Sequence, residues 1–180
     1  TLPIHKSEVK IMKNLIILNG TMGVGKTVTC RALQKRLPKN VFLDGDWCWD
    51  MVPFQVTKET KDMVIDNITY QLNNFLRCSA YENVLFCWVM DSQETLDKVL
   101  SLLDLTNCAV RCYSLICTEE ALTARVSRDI HAGLRPDHAL QYCIPRLANY
   151  AAMDTVKVDV SILTPEQAAD LIYNQSDDWD

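Results

Sequence analysis

A chain of 180 residues falls in the size range of a single domain, and an apolar content of 48% is ample for a packed core. The net charge of −5 weighs against nucleic acid as the main partner, because proteins that grip a phosphate backbone carry basic surfaces. No apolar run reaches membrane-spanning length, so no membrane partner is expected. The N-terminus shows no signal-peptide pattern. The eight cysteines form no C-x-x-C pair, and several sit inside apolar runs. They read as reduced and mostly buried, which makes a cytoplasmic location the expectation.

Residues 1–11 are polar and aperiodic, and are expected to be a flexible extension or an expression remnant. One domain is expected over residues 12–180. Leu15-Ile16-Ile17-Leu18 reads as a buried strand. Gly20 through Thr27 then fits the phosphate-binding pattern G-x-x-x-x-G-K-[ST] in full. A helix follows over Thr29 to Leu37, so the pattern stands between a strand and a helix, as the chemistry requires. The glycines let successive N–H groups point inward at an anion, and the helix start adds its positive end. Lys26 brings a point charge to the β- and γ-phosphates, and Thr27 offers a hydroxyl to Mg²⁺. Only five glycines occur in the chain, and Gly20, Gly23 and Gly25 are three of them, so the backbone's freedom is concentrated at this loop. The expected nucleotide-binding set is Gly20, Met22, Gly23, Val24, Gly25, Lys26, Thr27 and Val28.

Val41-Phe42-Leu43 is the second strand, ending in Asp44-Gly45-Asp46. Acids at the carboxyl end of a strand in an open parallel sheet can face bound phosphates. Trp47 and Trp49 follow and either wall a pocket, suggesting a flat-ringed ligand, or pack in the core. Thr57 to about Cys78 has helical spacing, with Val64, Ile65, Ile68, Leu72, Phe75 and Leu76 on one face. Val84 to Met90 is a continuous apolar run, as in a central parallel strand. Asp91 closes it, either as a metal-holding acid or as a helix cap, with Ser92 competing for the second role. Further on come a helix over Glu94 to Leu103, a strand over Ala109 to Cys117, and a helix begun by Thr118 that carries Arg125 and Arg128. Gly133 and Arg135-Pro136 mark a break. One helix kinked at Pro145 is expected over Asp137 to Ala152. The last strand is Val156 to Val160, and Thr164-Pro165-Glu166-Gln167 opens the last helix as a capping box. Five strands alternating with helices predict an α/β fold with a five-stranded parallel sheet covered on both faces.

With these residues in place, the chain from about Lys13 to Tyr173 resembles the small P-loop kinases related to shikimate kinase, gluconate kinase, adenylylsulfate kinase and chloramphenicol phosphotransferase. Four pieces carry the resemblance: Gly20–Thr27, Leu43-Asp44-Gly45-Asp46, the arginines Arg125, Arg128 and Arg135 around Gly133, and Arg146-Leu147-Ala148-Asn149-Tyr150. The resemblance implies a three-layer P-loop NTPase fold with a helical lid, and ATP and Mg²⁺ as cofactors. It further implies Asp46 as the acid at the acceptor hydroxyl, and Asp44 at Mg²⁺ through water, so that the expected metal set is Thr27, Asp44 and, in its metal-holding reading, Asp91. Arg128 and Arg135 match lid arginines that reach the transferring phosphate, Arg128 also at the nucleotide, and Arg146 matches a substrate-contacting arginine. The expected catalytic residues are therefore Lys26, Asp46, Arg128 and Arg135, with Asp46, Trp47, Trp49 and Arg146 around the acceptor. Arg125 is expected on a solvated helix face.

The expected activity is transfer of the γ-phosphate of ATP to a small hydroxyl- or phosphate-bearing acceptor such as a nucleoside, a nucleotide or another metabolite. Glycines after the third strand, as in shikimate kinases, are absent, and so is the His-Pro that follows the paired acids in gluconate kinases. The acceptor is thus not given by either relative. The alternative is a nucleotide switch or ATPase module without an acceptor. Against it stand the absence of an Asn-Lys-x-Asp base-reading motif and the short chain.

Overall fold

Residues Leu15 and Ile17 of the first strand enter one hydrophobic core and Ile16 and Leu18 the other, as the two-residue period of a strand with both faces covered demands. The structure, a computed structural model, describes residues 12–175. The expected extension over residues 1–11 lies outside the described residues, as does residue 176 onward of the acidic tail. Strands Lys13–Asn19 (β1), Asn40–Asp44 (β2), Asn83–Trp88 (β3), Cys108–Ile116 (β4) and Val156–Asp159 (β5) form one parallel sheet in the order β2–β3–β1–β4–β5. From β1 the sheet extends to β3 and β2 on one side and to β4 and β5 on the other. The loop after β1 therefore opens where the winding changes direction, the place at which open α/β sheets bind ligands.

Helices Lys26–Gln34 (α1) and Pro165–Asn174 (α7) cover one face, packing Leu33, Ala168, Ala169 and Ile172 against β1 and its neighbours. Helices Lys58–Arg77 (α2), Gln93–Ser101 (α3) and Leu147–Ala152 (α6) cover the other, through Ile68, Leu72, Leu96 and Tyr150. Helices Glu119–His131 (α4) and Ala139–Cys143 (α5) share a smaller core of Leu122, Val126, Ala139 and Cys143, against which Met22 of the glycine loop packs. This is the expected three-layer α/β arrangement with a helical appendage over the loop.

The helix starts are set locally. Thr57 caps α2, Thr118 caps α4, and Thr164 with Gln167 forms a capping box with Pro165 in the first turn of α7. The single kinked helix expected over Asp137 to Ala152 is instead two short ones, α5 and α6. Pro145 lies in the gap, where it has no N–H to carry the helical ladder through. All eight cysteines are free thiols. Among the described residues no helix is long and apolar enough to cross a membrane.

Candidate active site

The glycine loop is pinned from below by Asn19. Its Oδ1 accepts from the N–H of Gly20 at 2.9 Å and of Met90 at 2.9 Å, and its Nδ2 donates to the Met90 carbonyl at 2.7 Å. This buried amide ties the ends of β1 and β3 together, a role the sequence pattern did not single out. Above it, Gly23 has φ +84, and a Cβ there would lie 2.5 Å from a methyl of Val126 on α4. The loop and α4 thus meet at a contact that only glycine permits. Gly133 has φ +71 with open space around it. Gly23→Ala is therefore expected to cost more stability than Gly133→Ala, about 3 against about 1 kcal/mol, because only the first adds overpacking to backbone strain. Chemical denaturation of the two variants checks the order.

The loop opens into a cavity of about 420 Å³. It is lined by residues 22–29 of the loop and α1, by Asp46 and Val89, by Arg125, Arg128, Asp129 and Arg135, and by Val160, Leu163, Thr164, Pro165 and Ala168. Lys26 is buried and its Nζ donates to the Thr21 carbonyl at 3.0 Å. Burial lowers its pKa below the ordinary lysine range, against the pull of Asp46 and Asp44. A triphosphate beside it would restore the charged form, so binding should take up a proton at alkaline pH. Nucleotide affinity is then expected to fall as pH rises through the lowered pKa of the free protein, which calorimetry across an alkaline series measures.

Thr27 donates through Oγ1 to Asp44 Oδ2 at 2.7 Å, and the other Asp44 oxygen accepts from the Asp46 N–H at 3.1 Å. Asp44 is buried at the end of β2, so the strand end fixes it beside the loop. Among the described residues no group of three or more His, Cys, Asp or Glu could hold a metal ion alone. Mg²⁺ at a phosphate site needs only one or two protein oxygens, with phosphate and water oxygens completing its octahedron. The hard oxygens of Thr27 and Asp44 fit that requirement.

Asp46 lies in a 3-10 turn, Gly45–Cys48, that continues β2. Gly45 lets this turn sit on Trp88, since a Cβ would fall 2.4 Å from the Trp88 ring. Asp46 opens to the cavity, yet the crowded surroundings strip water from its carboxyl and raise its pKa, and the Asp44 charge adds to this. Lys26 and the Trp49 and Trp88 side chains act in the opposite direction. An acid held this way suits proton acceptance better than a fully solvated one.

The arginines divide. Arg125 is not on a solvated face as expected. Its guanidinium donates to the carbonyls of Val24 (3.2 Å) and Ser161 (3.3 Å) and to that of Val160. It clamps the loop to the end of β5. Arg128 stands exposed on the last turn of α4, and Arg135 lines the cavity while paired with Asp129 at 2.8 Å. Residues 128–140 carry both arginines, and residues 132–138 lie between α4 and α5. Hydrogen exchange over residues 128–140 is expected to slow when nucleotide and acceptor bind, because closure orders such a segment. Equal protection with and without ligands would contradict a lid there.

Six expected site residues, Gly20, Asp44, Trp47, Trp49, Asp91 and Arg146, do not line the cavity. Trp47 turns onto the α1 side, its ring 5.3 Å from Phe42 and beneath the Arg31 guanidinium. A 3-10 turn breaks the strand period, so Trp47 and Trp49 part company. Trp49 meets Trp88 at 5.8 Å and Phe54 at 5.0 Å, both edge to face, next to Asp46. Asp91 does not cap α3: Ser92 takes the cap, and Asp91 accepts from Arg146 Nε at 3.1 Å. Arg146 also donates to the Tyr142 carbonyl at 2.7 Å.

Residues 16–133 match the family model described as AAA domain. The chain belongs to this family. No curated protein matches the sequence of this AAA domain. Among solved structures it superposes on the tunicamycin resistance protein of Deinococcus radiodurans with a TM-score of 0.71, at 22% identity over 91% of this chain and 95% of that one. A gluconokinase from Sinorhizobium meliloti gives 0.61 at 18% identity, covering 92% and 98%. Shikimate kinase from Acinetobacter baumannii, solved with shikimate, gives 0.61 at 19%, covering 94% and 97%. At these identities the likeness establishes the fold, which this AAA domain shares with P-loop kinases.

Proposed function

We propose that the protein is a phosphotransferase that moves the γ-phosphate of ATP, in the presence of Mg²⁺, to a small hydroxyl- or phosphate-bearing acceptor. One observation carries the reading: a single cavity gathers Lys26 and the loop N–H groups, the exposed acid Asp46, and the lid arginines Arg128 and Arg135. A phosphoryl transfer needs little else, since positioning, charge neutralisation and exclusion of water supply most of the catalysis. The fold neighbours whose names include gluconokinase and shikimate kinase support it. The net charge of −5 favours a small acceptor over a nucleic acid.

In this reading the loop N–H groups and Lys26 hold the β- and γ-phosphates. The base and ribose lie toward Arg125 and the segment from Val160 to Ala168. Thr27 directly, and Asp44 through water, would hold Mg²⁺, which when bound neutralises charge on the β- and γ-oxygens. Asp46 orients the acceptor hydroxyl and takes its proton. Arg128 and Arg135 close over the γ-phosphate and shut out water. ADP release followed in the presence of pooled hydroxyl-bearing metabolites tests the proposal. Turnover should rise well above the basal rate with an acceptor pool. ATP turnover that no pool accelerates would favour the ATPase reading instead.

A further inference from the structure

One stretch of the cavity wall adjoins a series of aromatic side chains. Asp46 and Val89 form it, and both run directly into aromatic side chains: Val89 follows Trp88, and Asp46 lies against Trp49 and Trp88. Trp88, Trp49 and Phe54 then make a continuous edge-to-face series, at 5.8 and 5.0 Å. Trp88 is buried and structural. Phe54, by contrast, is 61% exposed although it is anchored on Trp49. An aromatic ring held outward beside an exposed acid is a surface prepared for another ring.

Charge along this stretch points the same way. Residues 45–57 contain two acids, Asp46 and Asp50, and no Lys, Arg or His. Arg146, the cation expected at the acceptor, is already balanced by Asp91. Arg31 is occupied over Phe42 and Trp47. Lys26, Arg128 and Arg135 face the space a triphosphate would fill. An anionic acceptor would therefore approach a surface with more acids than free cations, and would meet repulsion rather than a partner.

We propose that the acceptor is an electrically neutral alcohol built on a flat ring, lying against Phe54 and Trp49 with its hydroxyl at Asp46. This deepens the phosphotransferase reading and rests on it. The acceptor's hydroxyl oxygen forms a bond to the γ-phosphorus of ATP, and the bond from that phosphorus to the β–γ bridging oxygen breaks. The electron pair leaves with ADP, the hydroxyl proton passes to Asp46 and then to solvent, and a phosphate monoester remains.

The test compares ADP formation with two neutral ring-bearing probes, uridine and benzyl alcohol, and three anionic ones, gluconate, shikimate and uridine monophosphate. At least one neutral probe should exceed every anionic probe in kcat/KM by about tenfold or more. Phe54→Ala, at a largely exposed position that spares the core, should raise the KM of that probe by about tenfold while kcat stays within about twofold. Trp49→Leu should act in the same direction. Preferential turnover of an anionic probe would overturn the proposal and leave the phosphotransferase reading standing. So would a Phe54→Ala variant with an unchanged KM. Cleavage of ATP to free phosphate unaffected by all five probes would overturn both.

Discussion

Lys26→Ala should abolish measurable binding of a non-hydrolysable ATP analogue and all turnover, while the far-ultraviolet spectrum and the unfolding midpoint stay close to the parent's. The expectation follows from how the lysine is held. Its ammonium is buried and donates only to the Thr21 carbonyl, so the folded loop does not depend on it for a network. A triphosphate, in contrast, would draw charge-assisted hydrogen bonds from it at low local dielectric. Losing them costs on the order of 3 kcal/mol, about a hundredfold in affinity. The loop shape itself is kept by Asn19, by the glycines and by the Arg125 clamp on Val24, none of which the substitution touches. An unchanged calorimetric affinity would mean that the cavity over the loop is not the nucleotide site.

Asp46→Asn should lower kcat by about a hundredfold or more with ATP affinity nearly intact. The side chain is isosteric, the 3-10 turn is fixed by the Asp44 carboxylate and by Gly45 seated on Trp88, and neither depends on the Asp46 charge. What disappears is a proton acceptor at the acceptor end of the cavity. Asp44→Asn is the contrasting control. It weakens the oxygen pair with Thr27, so its expected signature is a higher Mg²⁺ requirement rather than a lost base. Retention of most turnover by Asp46→Asn with the true acceptor would place the base elsewhere, and Asp91 would be the next residue to substitute.

What was readable in advance was what is decided locally. The glycine loop, the five strands and the caps at Thr118 and Thr164 each depend on a few adjacent residues, and the structure has them where their patterns lie. What escaped the sequence depends on distant backbone. Arg125 looked like a residue on a polar helix face, but its partners are carbonyls at Val24, Val160 and Ser161, which no spacing on α4 reveals. Asn19 resembles any polar residue ending a strand until Met90, just past the neighbouring strand, is seen to share its amide. Trp47 and Trp49 were grouped because they are two apart, and the 3-10 turn sends one to Arg31 and the other to Trp88. Asp91 could be weighed as a ligand or a cap, but its actual partner, Arg146, comes from a helix start 55 residues away.

The central claim is that the γ-phosphate leaves ATP for an organic acceptor. A single-turnover experiment with γ-labelled ATP and the acceptor that most accelerates ADP release measures this directly. One labelled phosphate monoester is expected for each ADP formed, with little free phosphate, and the ester is lost in Asp46→Asn. Label recovered as free phosphate, in equal yield with and without acceptor, would contradict the claim.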